Sequence, residues 1–571
     1  MIMKMMMKFL YGDHKELYVR GDVTKKENSV LIAPQGTLSC DTYFNSLACE
    51  PWRRFTDVRR VAAKVEMKGR AVASVWRFSS EGEEMLSEKE SDGDVELTFD
   101  LPQTGIVYVK VTAVKETVVY GGGFYALEKP KNDVSVAVAI CTYKREKYVE
   151  KNVRAIEKYK AMTGEKLSVY VVDNGGTLTE EDVPGAELIK NPNLGGSGGF
   201  CRGMVEAYKA GKFSHVLLMD DDISFEGELF GRVCGFLRYV NNVDEVGVGA
   251  SMIIEDKPTV QFELGATWDG DRLRGLGKDV DLTERTTLLD NAARDNADYT
   301  AWWCCCMPLS VVDKAGLPMP MFIKNDDVEY GVRSGLRWAF PSGVGVWHTS
   351  FESKYSPFLE YYIKRNELIS NCLNRKRGLL CQFGKLLRSA SLQLVQQRYF
   401  AIPYMIEGYE DFLKGPEYLK NLDAEKKNKE LIASQPRQYT AEELLAMGYD
   451  VTVSTHGKKR NKLWQIVTLN GYLLPSFLYE KEGRQRVVDC NNCPPRDFFG
   501  VREAVQFNYC SGKGFVTRQK RTELFKWGFV LAKMFIKMLL KYYSVRRKFQ
   551  KKMSELTSLE YWNGKWSKTN E

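Results

Sequence analysis

VSVAVAICTY, residues 134–143, is where the period of the chain changes. Its apolar residues run on without the polar alternation of a strand that has one wet face, so the segment reads as a strand buried on both sides. Two more runs of this kind follow, LSVYVVDNGG at 167–176 and HVLLMDDD at 215–222. Between them lie a charged helical stretch from Glu146 to Met162 and a second helix opened by NLGGSGGFCRGMVEAYKAG at 193–211. Buried strands alternating with helices predict an open, parallel α/β sheet. Such sheets bind ligands at the carboxyl ends of their strands, which is where Thr142, Arg145, Asp173, Asn174 and the triplet Asp220, Asp221, Asp222 fall.

Outward from this centre, the 571 residues are too many for one ordinary core. Residues 1–130 hold β-branched or alternating segments, among them VAAKVEM (61–67), ASVWRF (73–78) and GIVYVKVTAV (105–114), which predict an N-terminal β-sandwich or barrel. Residues 131–375 form the α/β domain. Residues 376–571 read as mostly helical, with helical spacing up to Gly415-Pro416 and a capping box at Thr440 and Glu443. The 13 cysteines are odd in number and scattered, as in a reduced, cytoplasmic protein. Cys490 and Cys493 have no second pair at zinc spacing, and Cys304, Cys305 and Cys306 read as small apolar filler. No apolar run approaches the roughly 20 residues of a membrane-spanning helix, and the opening MIMKMMMKFLYGDHKE is a poor secretory signal.

Several segments carry chemistry. Asp220 and Asp222, two apart at a strand end, can converge on a hard divalent cation, and a cation would relieve their mutual repulsion. CTYKRE (141–146) offers Lys144 and Arg145 at a strand-to-helix turn, a seat for a nucleotide or a solvated helix start. NPNLGGSGGFCRGM (191–204) brings four glycines within five residues, so its backbone can approach a ligand; it matches neither a Walker loop nor a dinucleotide fingerprint. FIKNDDVEYGVRSG (322–335) reads as a short strand running into Asp326 and Asp327, then a helix. A carboxylate there can serve as a general base or as a helix cap. GVGVWHTS puts His348 at another strand end, where it can join the aspartates or sit in the core. Of Trp302 and Trp303, adjacent in a strand, one can offer its flat face to a sugar ring.

The series CTYKR, VVDNGG, NLGGSGGF, DDD, WW, FIKNDD and VWH, joined by YYIKRNEL at 361–368, resembles the inverting family 2 glycosyltransferases of GT-A fold. Within them it is most similar to bacterial galactofuranosyltransferases that build cell-wall polysaccharide from UDP-galactofuranose. The resemblance implies an N-terminal β-sandwich-like module and C-terminal helices around the GT-A domain. It implies Mn2+ or Mg2+ held by Asp220, Asp222 and His348, and Asp327 as catalytic base. It implies a nucleotide-diphosphate site from Thr142, Arg145, Asp173, Asn193, Gly198, Asp221 and Lys324. The acceptor site would be Glu263, Trp302, Trp303 and Asp326. Partners would be a UDP-sugar donor and a glycan or lipid-linked glycan acceptor, with a homo-oligomer also allowed. Asn325 departs from the family pattern, where an aromatic residue stands, so a related donor such as rhamnose or glucose stays open. So do a phosphotransferase and a non-catalytic glycan-binding scaffold.

The net charge of +8 is uneven: Lys513–Met553 holds 13 Lys and Arg against Glu523 alone, leaving −4 for the rest. A mildly acidic body with a basic tail excludes a uniformly basic nucleic-acid binder. In the tail, Lys526, Lys533, Lys537 and Lys541 share one helical face, with Phe529, Leu531, Phe535, Met538 and Leu539 opposite or beside them. Trp527, Tyr542 and Tyr543 add interfacial aromatics. That pattern predicts an amphipathic helix within 520–553 lying on an anionic membrane, and a peripheral location on the inner face of the plasma membrane.

Overall fold

The computed structural model describes residues 4–270, 272–350, 356–375, 377–457, 461–479 and 486–567. They divide into two compact units. One comprises the described residues up to Met319, Asp327–Thr349 and those from Thr557 on; the other comprises Pro320–Asp326 and Ser350–Leu556.

The first unit begins with two six-stranded antiparallel sheets. Arg60–Lys68 and Thr117–Ala126 lie at the heart of one, Arg70–Ser79 and Ile106–Ala113 at the heart of the other. The alternation read in the sequence has a physical outcome: Val61, Ala63, Val65 and Met67 of the first sheet and Ala71, Ala73 and Val75 of the second share one buried core. The opening KMMMK is an edge strand, Lys4–Lys8, paired with Thr117–Ala126.

The α/β part of this unit is a seven-stranded sheet. Its order is Glu187–Lys190, Leu167–Asp173, Val136–Thr142, His215–Asp220, Cys304–Pro308, Val246–Gly249, Arg337–Ala339. The first four strands are parallel, as expected. Cys304–Pro308 is antiparallel to both its neighbours, so the sheet is mixed rather than parallel throughout. All five of its residues are buried, and a strand covered on both faces carries no pattern that reveals its direction. A second sheet runs Ile223–Phe225, Gly345–His348, Ser251–Ile254, Lys257–Glu263, Val280–Asp281.

The glycine run differs from its sequence reading. It forms the first turn of the helix Gly195–Ala210 itself, and its glycines serve packing. A Cβ at Gly199 would stand 2.1 Å from the Cys141 sulfur, and one at Gly203 2.7 Å from the Ala139 Cβ. Side chains there would lift the helix off the Val136–Thr142 strand. The C-terminal helix Leu559–Ser567 joins this unit, its Trp562 Nε1 donating to the Pro318 carbonyl at 3.0 Å.

The second unit is mostly helical, with Leu359–Ser370, Leu379–Val395, Ile402–Lys414 and the 36-residue Arg521–Leu556 as main elements. Gly415, at φ +90°, ends one helix and Pro416 starts the next. The capping box at Thr440 and Glu443 is formed. A four-stranded sheet of Tyr439–Thr440, Lys513–Arg518, Glu503–Asn508 and Arg486–Asp489 also lies here; the periodicity of 376–571 did not suggest it.

The tail helix departs from expectation in which face it buries. Trp527, Leu531, Met534, Met538 and Tyr542 pack against the helices of this unit. Phe535 lies against Phe383, ring centres 4.7 Å apart and the ring planes tilted by 49°. Three residues assigned to the membrane face, Leu531, Phe535 and Met538, and the interfacial Trp527 and Tyr542 are therefore internal contacts. Among the described residues, no helix is long and apolar enough to cross a membrane.

Candidate active site

The acidic triplet splits by direction. Asp221 points inward: its carboxylate accepts from Thr142 Oγ1 at 2.7 Å and from Arg145 Nη1 at 2.8 Å, and its carbonyl from Asn152 Nδ2 at 2.9 Å. Asp220, the last residue of the strand His215–Asp220, and Asp222, in the turn that follows it, face His348 instead. Ile223 pairs with His348 across Ile223–Phe225 and Gly345–His348, and this register brings the imidazole to the aspartates. His348 Nε2 lies 3.3 Å from Asp222 Oδ1 and 3.9 Å from Asp220 Oδ2. One ligand atom from each of the three falls within 4.8 Å of the others.

The donor set suits a hard divalent cation. His348 Nδ1 lies 2.6 Å from the Thr349 carbonyl, which can only accept, so Nδ1 carries the proton and Nε2 faces the carboxylates. The electrostatics point the same way. Desolvation, then the two neighbouring carboxylates, push Asp220 up to about 7 against the pull of His348 and Arg145. Burial also raises Asp221. Burial pulls His348 down, but its bond to Asp222 and the Asp220 charge outweigh that, and the net shift is upward. Arg145, whose Nη1 is also 2.5 Å from Asp222 Oδ2, is a fixed cation between the carboxylates.

Asp173 is fully buried and accepts from the backbone amides of Gly175, Gly176 and Leu178 at 2.8–3.0 Å. These are the bonds of a turn-former. Asn193 Oδ1 accepts from Gly195 N. Gly198 meets the Leu194 side chain, where a Cβ would stand 2.3 Å away. Thr142, like Asp221, is engaged inside the protein.

A second group surrounds Asp327 in the first turn of the helix Asp326–Ser334, whose Oδ1 accepts from Val328 N at 2.8 Å. Glu263 is pushed up to about 7 by burial, with Lys278 opposing and Asp327 and Asp279 adding to it. Tyr299, buried, feels Asp327 and Glu263 in turn. Sequence reasoning passed over Tyr299, because a lone tyrosine before an apolar segment carries no signal. Trp302 and Trp303 lie in a turn before the strand, not in it, and both are buried. Trp302 packs edge-on to Phe200 and Tyr330, and Trp303 Nε1 donates to the Ala250 carbonyl.

The segment leading to Asp327 is a succession of bends rather than a strand. Phe322, Lys324 and Asn325 sit at φ +72°, +66° and +66°, a backbone region costly for non-glycine residues. Within the second unit, the YYIKRNEL stretch holds it. Asn366, fully buried, gives its side-chain NH2 to the carbonyls of Met321, Ile323 and Lys324, and Arg365 donates to Met321 O at 2.7 Å. Asn325 Nδ2 bonds Ser370 Oγ at 2.6 Å. Lys324 is exposed and Asp326 buried. Asn366→Ala strips a donor from three carbonyls and is expected to cost about 1–3 kcal/mol in a denaturant titration. A loss of turnover should accompany it, because these bends set the start of the Asp327 helix.

Residues 132–367 match the family model described as glycosyltransferase like family 2, and residues 4–127 match that of the galactofuranosyltransferase 2 N-terminal domain. The chain is a glycosyltransferase, similar over these two stretches to family 2 glycosyltransferases and to the N-terminal domain of galactofuranosyltransferases. More particularly, it is similar to the galactofuranosyltransferases GlfT2 of Mycolicibacterium smegmatis and Mycobacterium tuberculosis. Each is 27% identical, over 456 and 462 residues respectively; the matches cover 71% of this chain and 70% and 71% of those relatives. Among solved structures, TarS 1–349 of S. aureus is 16% identical with a TM-score of 0.31, covering 58% of this chain and 97% of that one.

Proposed function

We propose that this glycosyltransferase moves galactofuranose from UDP-galactofuranose, with inversion, onto a lipid-linked cell-surface glycan. The observation that carries the reading is the meeting of Asp220, Asp222 and His348 at a strand end, in a chain whose two matched domains are those of galactofuranosyltransferases and their wider family. Residues 131–375 act as the catalytic domain, preceded by a β-sandwich at 1–130 and followed by the helical region 376–571.

Asp220, Asp222 and His348 hold the cation. A divalent ion, Mn2+ or Mg2+, would offset the negative charge that develops on the departing UDP. Arg145 supplies further positive charge to the diphosphate, and Asp221 keeps Arg145 in place. Thr142, Asp173, Asn193 and Gly198 shape the nucleotide side through the turns they fix. Asp327 takes the proton from the acceptor hydroxyl, which attacks the anomeric carbon from the face opposite UDP; the C–O bond to the diphosphate breaks as the new one forms. Glu263, its carboxyl half-protonated near neutrality, can both accept from and donate to sugar hydroxyls, with Trp302 and Trp303 shaping the acceptor side. The enzyme works in the cytoplasm at the inner face of the membrane, through the basic helix within 520–553.

The test is to incubate the protein with Mn2+ or Mg2+ and a panel of nucleotide sugars and follow UDP release. UDP-galactofuranose should be the preferred donor. Preference for a rhamnose or glucose donor would keep the chemistry and overturn the sugar.

A further inference from the structure

The segment AGLPM, residues 315–319, leaves the short helix Val311–Ala315 and ends eight residues before Asp327. Leu317, Pro318 and Met319 are buried and belong to no strand or helix, so their backbone groups need partners from elsewhere. All five carbonyls of the segment are met by side chains. Arg333 Nη1 donates to Ala315 O, Tyr330 Oη to Gly316 O at 3.0 Å and Arg333 Nη2 to Leu317 O at 3.0 Å. Trp562 Nε1 donates to Pro318 O at 3.0 Å, and Ser197 Oγ to Met319 O at 2.6 Å. Leu317 N in turn donates to the Thr557 carbonyl at 2.8 Å.

These donors come from three elements of the first unit. Tyr330 and Arg333 sit on the helix Asp326–Ser334 that carries Asp327, and Arg333 is itself fixed by the fully buried Glu329 at 2.6 and 2.9 Å. Ser197, fully buried, is the single hydroxyl of NLGGSGGF and stands in the first turn of the glycine-rich helix Gly195–Ala210. That turn lies at the carboxyl end of the strand Leu167–Asp173, where Asn174 Nδ2 donates to Gly195 O at 3.0 Å. Trp562 belongs to the helix Leu559–Ser567, which packs on the same glycine-rich helix. A Cβ at Gly198 would stand 3.4 Å from Trp562 Cζ3, and Arg202 covers the Trp566 ring at 4.7 Å. The segment therefore cannot shift without moving one of the three.

We propose that residues 315–319 form a strap that sets the Asp327 helix against the glycine-rich helix, and that Ser197 and Trp562 are positioning residues for sugar transfer. The glycine-rich helix begins on the nucleotide side and the other helix carries the base, so the strap spans the donor and acceptor halves of the reaction. Transfer needs the base, the acceptor hydroxyl and the anomeric carbon in one arrangement, and a misplacement of about 1 Å can cost about a hundredfold in rate. Ser197 and Trp562 touch no reacting atom; they act through the carbonyls of Met319 and Pro318. The inference rests on the reading of Asp327 as the base.

The test uses Ser197→Ala and Trp562→Phe in the full chain. The first removes one hydroxyl and the second keeps a ring while removing Nε1–H, so each takes a donor from one carbonyl of the strap. At saturating donor and acceptor, kcat per folded molecule should fall about tenfold in each, while UDP affinity with Mn2+ stays within about twofold. Placed on top of Asp327→Asn, the same changes should alter the residual turnover by less than about twofold, because the group they position is gone. Ser197→Ala decides the matter should Trp562→Phe fail to fold. A lowered thermal melt with wild-type kcat in the folded variants would make the strap a structural element only and overturn the inference. An undiminished tenfold loss on top of Asp327→Asn would overturn it as well, since the strap would then act through another group. Either result beside an inactive Asp327→Asn leaves the base assignment standing, whereas wild-type turnover by Asp327→Asn overturns the base and the strap together.

Discussion

Asp327→Asn is expected to lower UDP-sugar turnover by roughly a hundred- to ten-thousand-fold, the range that loss of a positioned general base produces. Nucleotide affinity, read by titration calorimetry with UDP and Mn2+, should stay within about threefold, because Asp220, Asp222 and His348, the proposed cation ligands, are untouched. The asparagine keeps the oxygen that accepts from Val328 N, so the helix start survives and the loss is one of proton acceptance. Glu263 is the rival base, since it feels the Asp327 charge and lies near 7. Glu263→Gln should raise KM for the acceptor with a smaller effect on kcat. Should Glu263→Gln abolish turnover while Asp327→Asn keeps a tenth or more, the two roles exchange.

Loss of the proposed cation site should have the second largest effect. His348→Ala or Asp222→Ala should reduce Mn2+ affinity by at least a hundredfold, and chelator should silence the wild type. A pH dependence follows from the same geometry. With Asp220 at about 7 in the absence of an ion, the carboxyl is mostly protonated below that pH, and the cation must expel the proton to bind. Apparent Mn2+ affinity should therefore be nearly level above pH 7 and fall about tenfold per unit below it. His348, also raised, steepens the decline. Mn2+ affinity that is flat from pH 5.5 to 8, or full activity in chelator, would sink the assignment.

How much of this the residues disclosed depends on the reach of each interaction. The Val136–Thr142 strand, the helix from Glu146 and the capping box at Thr440 are local: hydrophobic period, charge and capping chemistry act within a few residues, so each is written in its own stretch of sequence. Asp220, Asp222 and His348 were candidates because each ends an apolar run. The residues leave His348 open as a partner of the aspartates or a core histidine, and only the family resemblance chooses between them, because the pairing of Ile223 with His348 spans 125 residues. The clamp on the 321–325 bends was illegible for the same reason. Nothing in YYIKRNEL tells that Asn366 reaches three carbonyls some 40 residues earlier.

The sequence by itself determined the strand–helix alternation, the acidic strand end, the basic tail and the chemistry those residue types allow, since each depends on composition and short-range period. The tertiary structure alone decided that Cys304–Pro308 runs antiparallel, that Asp221 and Asp173 serve the fold, that the glycines serve helix packing, and which face of the long helix stays outside. An apolar stripe or a carboxylate is the same on paper whether it meets a neighbour or solvent. Only the packing of distant segments, which local period cannot encode, settles which it meets.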